Sequence, residues 1–196
     1  MIRNQLRPAI LLTVVFIIVT GLIYPGVVTA IARALFPKQS AGSLVTVNGQ
    51  VIGSRLIGQQ FTKPWYFHPR PSAAGNGYDA TASGGSNKGP TDRKLADTLI
   101  AGAIAQAESE GVPKGKIPAD MATASASGLD PHISPANALA QVGRVAAARG
   151  ADTAKIRDLA LHYVEGRQLG FFGEPRVNVL SLNLALDVAF PLPTRK

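Results

Sequence analysis

A chain of 196 residues carries 20 Lys and Arg against 12 Asp and Glu, a formal net charge of +8, and no cysteine. The missing thiols exclude disulfides, thiolate metal sites and a cysteine nucleophile. No dense basic patch is interleaved with aromatics, which argues against nucleic acid as a partner. The modest positive excess favours anionic partners or lipid headgroups instead.

The first element is apolar. No charged residue lies between Arg7 and Arg33. A bilayer core of about 30 Å needs roughly 20 apolar residues in a helix, and Pro8 to Ala32 is long enough to span with some tilt. A cleaved signal peptide and a buried core helix are the competing readings. The run is longer than a signal h-region of about 7–15 residues and has no polar face to belong to a soluble core, so an anchor is expected. Arg3 and Arg7 precede the run, Arg33 and Lys38 follow it, and a long C-terminal part translocates largely regardless of charge. The expected organisation is a cytoplasmic tail (1–7), a transmembrane helix (8–33) and an extracytoplasmic domain (34–196). Gly21, Pro25 and Gly26 interrupt the span. Small residues admit another helix closely, although Gly and Pro are also simply commoner in membrane helices.

Beyond a short linker, Ser43 to Ile52 reads as two β-rich arms around Asn48-Gly49, a hairpin signal. Gly53 and Gly58 are candidate bulges. Thr62 to Pro90 is rich in aromatic, Pro and Gly residues with little periodicity, and reads as a long ordered loop. Thr91 to Glu110 predicts a helix capped by Thr91 or Asp92, with Leu95, Leu99, Ala103 and Ile104 as its stripe and Gly111 as its stop. Ala119 to Ala124 suggests a helical turn. Ser134 with Pro135 opens a helix carrying Leu139, Val142, Val145 and Ala146 and ending at Gly150. Asp152 opens another, with Ile156, Leu159, Ala160 and Tyr163 inward and Gly166 as its stop. From Val177 to Val188 period two argues strand, while the Val179/Leu182/Leu186 spacing and the Leu/Ala content argue helix, the preferred reading. The fold class is therefore α+β: one N-terminal transmembrane helix, then a single domain with a small hairpin or sheet and several helices.

Motifs for chemistry are thin. Gly84 and Gly89 have P-loop spacing, but Pro90 stands where the lysine belongs. Gly75, Gly77 and Ala80 echo a dinucleotide loop without a preceding strand. His68, His132 and His162 lack metal-ligand spacing. Asp130-Pro131-His132 resembles an acid/base pair, or a turn in which Asp130 bonds local backbone. No nucleophile elbow is present.

Several short blocks nevertheless stand in a specific order. They are Tyr24-Pro25; Gly53-Ser54, Leu56-Ile57-Gly58-Gln59 and Phe61; Tyr66-Phe67 before Arg70-Pro71-Ser72-Ala73; and Ser83-Gly-Gly-Ser-Asn87. Then follow Thr123-Ala-Ser-Ala-Ser-Gly-Leu-Asp130, Arg144-Val145-Ala146, Pro175 with Val177-Asn178, and Leu182-Asn183-Leu184-Ala185-Leu186-Asp187. With these the chain resembles the KdpC family, the C subunit of the Kdp potassium-transporting ATPase, over nearly its whole length. The resemblance implies a non-catalytic accessory subunit in a bacterial inner membrane. Its partners would be a channel-like potassium-binding A subunit, a P-type ATPase B subunit, a small F peptide and membrane lipid. It would stabilise the assembly and act as a catalytic chaperone raising ATP affinity. No cofactor of its own is expected, with ATP and potassium acting at the level of the complex. The family's nucleotide-contacting glutamine, in a Gly-Gln-Pro setting, corresponds to Glu174 in Gly173-Glu174-Pro175, where a carboxylate would repel a triphosphate but accept from ribose hydroxyls. Gly21, Pro25 and Gly26 in the span, and Arg70, Ser72, Ser86 and Asn87 in the long loop, are the expected partner-binding residues. The alternative is an independent membrane-anchored periplasmic hydrolase or binding module using His132 and Asp130.

Overall fold

The computed structural model describes residues 2–192, so the outer ends of the expected tail and domain, Met1 and 193–196, lie outside the described residues. The chain divides into two compact units, one up to Ile52 and one from Gly53. It is α+β, with one N-terminal apolar helix, small sheets and several helices.

In the first unit, α1 (Ile2–Ile18) runs through a π-helical turn (Val19–Ile23) into α2 (Tyr24–Leu35). The stretch Asn4–Leu35 is long and apolar enough to cross a membrane. Pro25 has no N–H to donate. The π turn, in which the Tyr24 N–H reaches the carbonyl of Val19, lies just before it and lets the helix continue. A short α3 (Pro37–Ser40) leads to the hairpin of β1 (Leu44–Val47) and β2 (Gln50–Ser54). Its turn residues Asn48 and Gly49 have φ of 50° and 80°, as the Asn-Gly signal requires.

The second unit is built on a three-stranded antiparallel sheet in the order β3 (His132–Ile133), β5 (Arg176–Asn178), β4 (Val164–Glu165). Three helices supply most of its core. They are α6 (Pro135–Arg149), α7 (Thr153–His162) and α8 (Val179–Ala189). Val142, Val145, Ala146, Ile156, Ala160, Leu182 and Leu186 from these helices close on Ile133, Val177 and Phe67. The caps follow local chemistry. The side chains of Ser134, Asp152 and Asn178 accept the N–H groups of Asn137, Ala154 and Ser181, and Gly150 ends α6 at φ 62°.

Four sequence expectations shift. The terminal segment is a strand over Arg176–Asn178 and, as preferred, a helix from Val179 to Ala189, so the alternation of Leu182, Leu184, Leu186 and Val188 lies inside a helix. α7 stops at His162 rather than Gly166, because Val164 and Glu165 pair with β5. Gly58 is not a bulge. It lies outside β2, and its N–H donates to Leu129 O at 2.8 Å. A Cβ there would stand 2.6 Å from the carbonyl oxygen of Asp130. The helix expected over 91–110 is capped by Asp92, whose side chain accepts the Lys94 N–H. It opens into a π-helical segment (Leu95–Ile100) before α4 (Ala101–Ser109). The wider turn breaks the predicted stripe, leaving Leu99 exposed while Ala107 is buried. The expected helical turn follows as α5 (Ala119–Ala122).

Candidate functional site

The long loop from Thr62 to Pro90 is ordered, and polar side chains of the core helices hold it. Asn183 on α8 grips Phe67 at both ends of its peptide units. Its Oδ1 accepts the Phe67 N–H at 2.8 Å and its Nδ2 donates to Phe67 O at 3.0 Å. Gln141 on α6 does the same for His68, at 2.7 and 3.0 Å. Asn137 steadies Gln141 by accepting from its amide. Arg144 donates to the carbonyls of Pro64 and Tyr66. Arg149, its side chain fully buried, donates to Trp65 O, Phe190 O and Asp187. The Asp187 carboxylate in turn accepts from the Tyr66 hydroxyl. Burial and the Asp187 carboxylate push the Tyr66 phenol above its usual range, against the opposing charge of Arg149. Backbone that would otherwise be buried without partners is thus satisfied.

A second knot joins this loop to the segment 120–132. Arg70 donates to Asp130 at 3.2 Å and to the carbonyls of Thr123 and Ala124. Ser72 Oγ donates to Gly128 O at 2.6 Å and accepts the Tyr78 N–H at 2.9 Å. The Tyr78 hydroxyl donates to Arg70 O, and burial raises the Tyr78 phenol strongly. Gly84 donates to Ser127 O, and a Cβ on Gly85 would stand 2.9 Å from Ala126 O. Gly85 is glycine for this close backbone approach, whereas a Cβ on Gly84 would meet only Ala82 O at 4.0 Å and one on Gly89 nothing within 4 Å.

Between this loop and the helix through α4 lies a cleft of about 510 Å³, lined among others by Phe61, Arg70, Tyr78, Leu99, Ala103 and Glu110. Glu110 stands on its wall, bonded by His68 Nδ1 at 3.1 Å and Gln106 at 2.8 Å and paired with Arg144 at 2.9 Å. Burial alone would raise its carboxyl. The bonds from His68 and Gln106 and the charge of Arg144 outweigh that and hold it at about 2. Every charged group here has a partner inside the chain, so the arrangement braces the loop.

The Asp130-Pro131-His132 element is the turn reading in its geometry. The Asp130 carboxylate accepts the His132 N–H at 3.0 Å and is engaged by Arg70. Burial alone would raise this carboxyl; the His132 and Arg70 contacts hold it below the usual range. Among the described residues no three His, Asp or Glu side chains gather as metal ligands.

A sequence profile described as "K+-transporting ATPase, c chain" matches residues 6–188. The chain belongs to the KdpC family. It is 53% identical over 193 residues to the potassium-transporting ATPase KdpC subunit of Koribacter versatilis, covering 98% of each chain. It is 57% identical over 185 residues to that of Gemmatimonas aurantiaca, covering 94% of this chain and 92% of the relative. With that of Nitratidesulfovibrio vulgaris it shares 59% identity over 165 residues, 84% of each.

For a KdpC family chain, the expected partner-binding residues fall into two groups. Gly21, Pro25 and Gly26 lie on an apolar helix with no buried residue, and a Cβ on either glycine would meet nothing within 4 Å. Arg70 and Ser72 are half-buried and bonded within the domain, whereas Ser86 is half-buried and Asn87 exposed at φ 52°. Glu174 is exposed, and Arg167 donates to both its oxygens at 2.9 and 2.7 Å. The structure does not bring it near Arg70 or Asp130 through any hydrogen bond or ion pair. Sequence reasoning passed over Asn137, Gln141, Arg149 and Asn183 as structural residues. The available signal was polar side chains in phase with the buried stripes of α6 and α8.

Proposed function

We propose that this chain is the non-catalytic accessory subunit of an ATP-driven potassium uptake complex in a bacterial inner membrane. Its single helix embeds it beside the other subunits, and the domain from residue 34 onward lies outside the cytoplasm. There the domain stabilises the assembly of the potassium-binding A subunit, the ATP-hydrolysing B subunit and the small F peptide. The observation that carries the reading is the match to K+-transporting ATPase C chains over residues 6–188, together with one span-length apolar helix. The small residues of the span give neighbouring helices a place for close approach.

ATP and potassium act on the partner subunits in this reading. Glu174 favours an indirect effect on ATP affinity. Both its oxygens are taken by Arg167, and a carboxylate repels a triphosphate. A chaperone effect then travels through the membrane helices. The test is purification of the complex by a tag on the B subunit, from cells with the full chain or a chain lacking residues 2–35. The full chain is expected to co-purify with the A and B subunits, and the truncated chain to leave a dissociating complex. An intact, fully active pump without this chain overturns the proposal.

A further inference from the structure

The segment between β4 and β5 is built to hold apolar side chains in the open. Leu169 is 83% exposed, Phe171 64% and Phe172 57%. Yet the loop is tightly structured. Gln168 and Phe172 form an isolated antiparallel bridge, with the Gln168 N–H donating to Phe172 O at 2.9 Å and the Phe172 N–H to Gln168 O at 2.9 Å. The Phe171 and Phe172 rings lie 4.2 Å apart. Leu169 adopts φ 53°, followed by Gly170 at 84° and, after the two rings, Gly173 at 74°. A leucine held in the left-handed region is unusual, and such strain persists only where the surroundings impose it. At the foot of the loop Arg167 clasps Glu174.

We infer that the Leu169–Phe172 loop inserts into the headgroup and upper acyl region of the same bilayer that holds the anchor. Three observations favour lipid as the occupant. The tip carries Leu and Phe and lacks Trp and Tyr. Leu is poor in protein-interface hot spots, which favour Trp, Tyr and Arg, while Leu and Phe are among the apolar residues that segments lying in the bilayer interface bury. The chain contains a span-length apolar helix, so a bilayer is always at hand. From Leu35 to Gly53 the tether extends at most about 60 Å, and α3 and the hairpin shorten it. A tethered site works at high effective concentration, so a three-residue insertion suffices. Residues 34–196 carry 17 Lys and Arg against 12 Asp and Glu, a positive excess that suits an anionic surface. The inference stands apart from the subunit assignment and holds whichever side of the membrane the domain occupies.

The test uses the absence of native cysteine. Full-length Leu169→Cys is labelled with bimane and reconstituted in vesicles of phosphatidylethanolamine and phosphatidylglycerol, with Lys114→Cys as the reference. A blue-shifted Leu169 label, quenched by a shallow nitroxide lipid and several-fold less sensitive to aqueous iodide than the Lys114 label, is the expected result. Iodide quenching equal at both sites overturns the inference. A Leu169 label shielded only when the other pump subunits are present, without nitroxide quenching, also overturns it and makes a protein the occupant. Phe172→Cys gives the same readout if Leu169→Cys does not fold.

Discussion

Asn183 and Gln141 hold the aromatic loop by its backbone. Each satisfies both an N–H and a C=O of a neighbouring strand of backbone. Removing one partner leaves the other buried and unpaired, at about 1–3 kcal/mol per group. Asn183→Leu is therefore expected to lower the unfolding free energy by about 3 kcal/mol, read as a lower urea midpoint in detergent-solubilised protein. Glu110 gives a pH signature. Its carboxyl is held at about 2 in the folded chain, below its ordinary value of about 4.3. The stabilisation it supplies is complete above the ordinary value and drains away as pH falls toward the folded one. Acid unfolding of the wild-type chain between about pH 4.5 and 2 is expected to steepen relative to Glu110→Gln. At pH 7 that variant is expected to be about 3 kcal/mol less stable, since His68 and Arg144 lose a buried partner. Gly58→Ala places a methyl group 2.6 Å from Asp130 O. Backbone cannot yield as a flexible side chain does, so a loss of about 2 kcal/mol or more in thermal unfolding is expected.

At the scale of elements, the helices that begin on a capping side chain were legible before any tertiary contact was known. Ser134-Pro135, Asp152 and Gly150 act through their own backbone neighbours. Asp152→Ala is expected to cost α7 about 1 kcal/mol, measurable as a lower Tm. The π-helical segments at Val19–Ile23 and Leu95–Ile100 were not legible. A π turn depends on which register the flanking helix faces need, and short-range propensity is silent on that. The same applies to the close of α7, where pairing of Val164 with Val177 ends the helix before its glycine. Nothing local marks a two-residue strand.

For the whole molecule, the side of the membrane is the property from which mechanism follows. A single cysteine introduced by Lys114→Cys in an otherwise cysteine-free chain is expected to react with a membrane-impermeant thiol reagent on intact cells. Labelling only after lysis would place the domain beside ATP and make direct contact with the ATPase subunit the leading account. The charge rule behind the expected orientation is weak here, because Arg3 and Arg7 before the span are matched by Arg33 and Lys38 after it.

By itself the sequence determined that the first helix is long and apolar enough to cross a membrane, since that rests on length and absence of charge alone. It also determined the hairpin at Asn48-Gly49, the capped starts of α6 and α7, and the family, through ordered blocks along the chain. These are properties of neighbouring residues or of their order. Tertiary structure decided what Arg70, Ser72 and Asp130 are bonded to, and why Gly58 and Gly85 are glycine. It also revealed that Asn183, Gln141 and Arg149 hold the aromatic loop. Those roles arise where segments far apart in the chain meet, and a side chain's partner across 116 residues leaves no trace in its own neighbourhood.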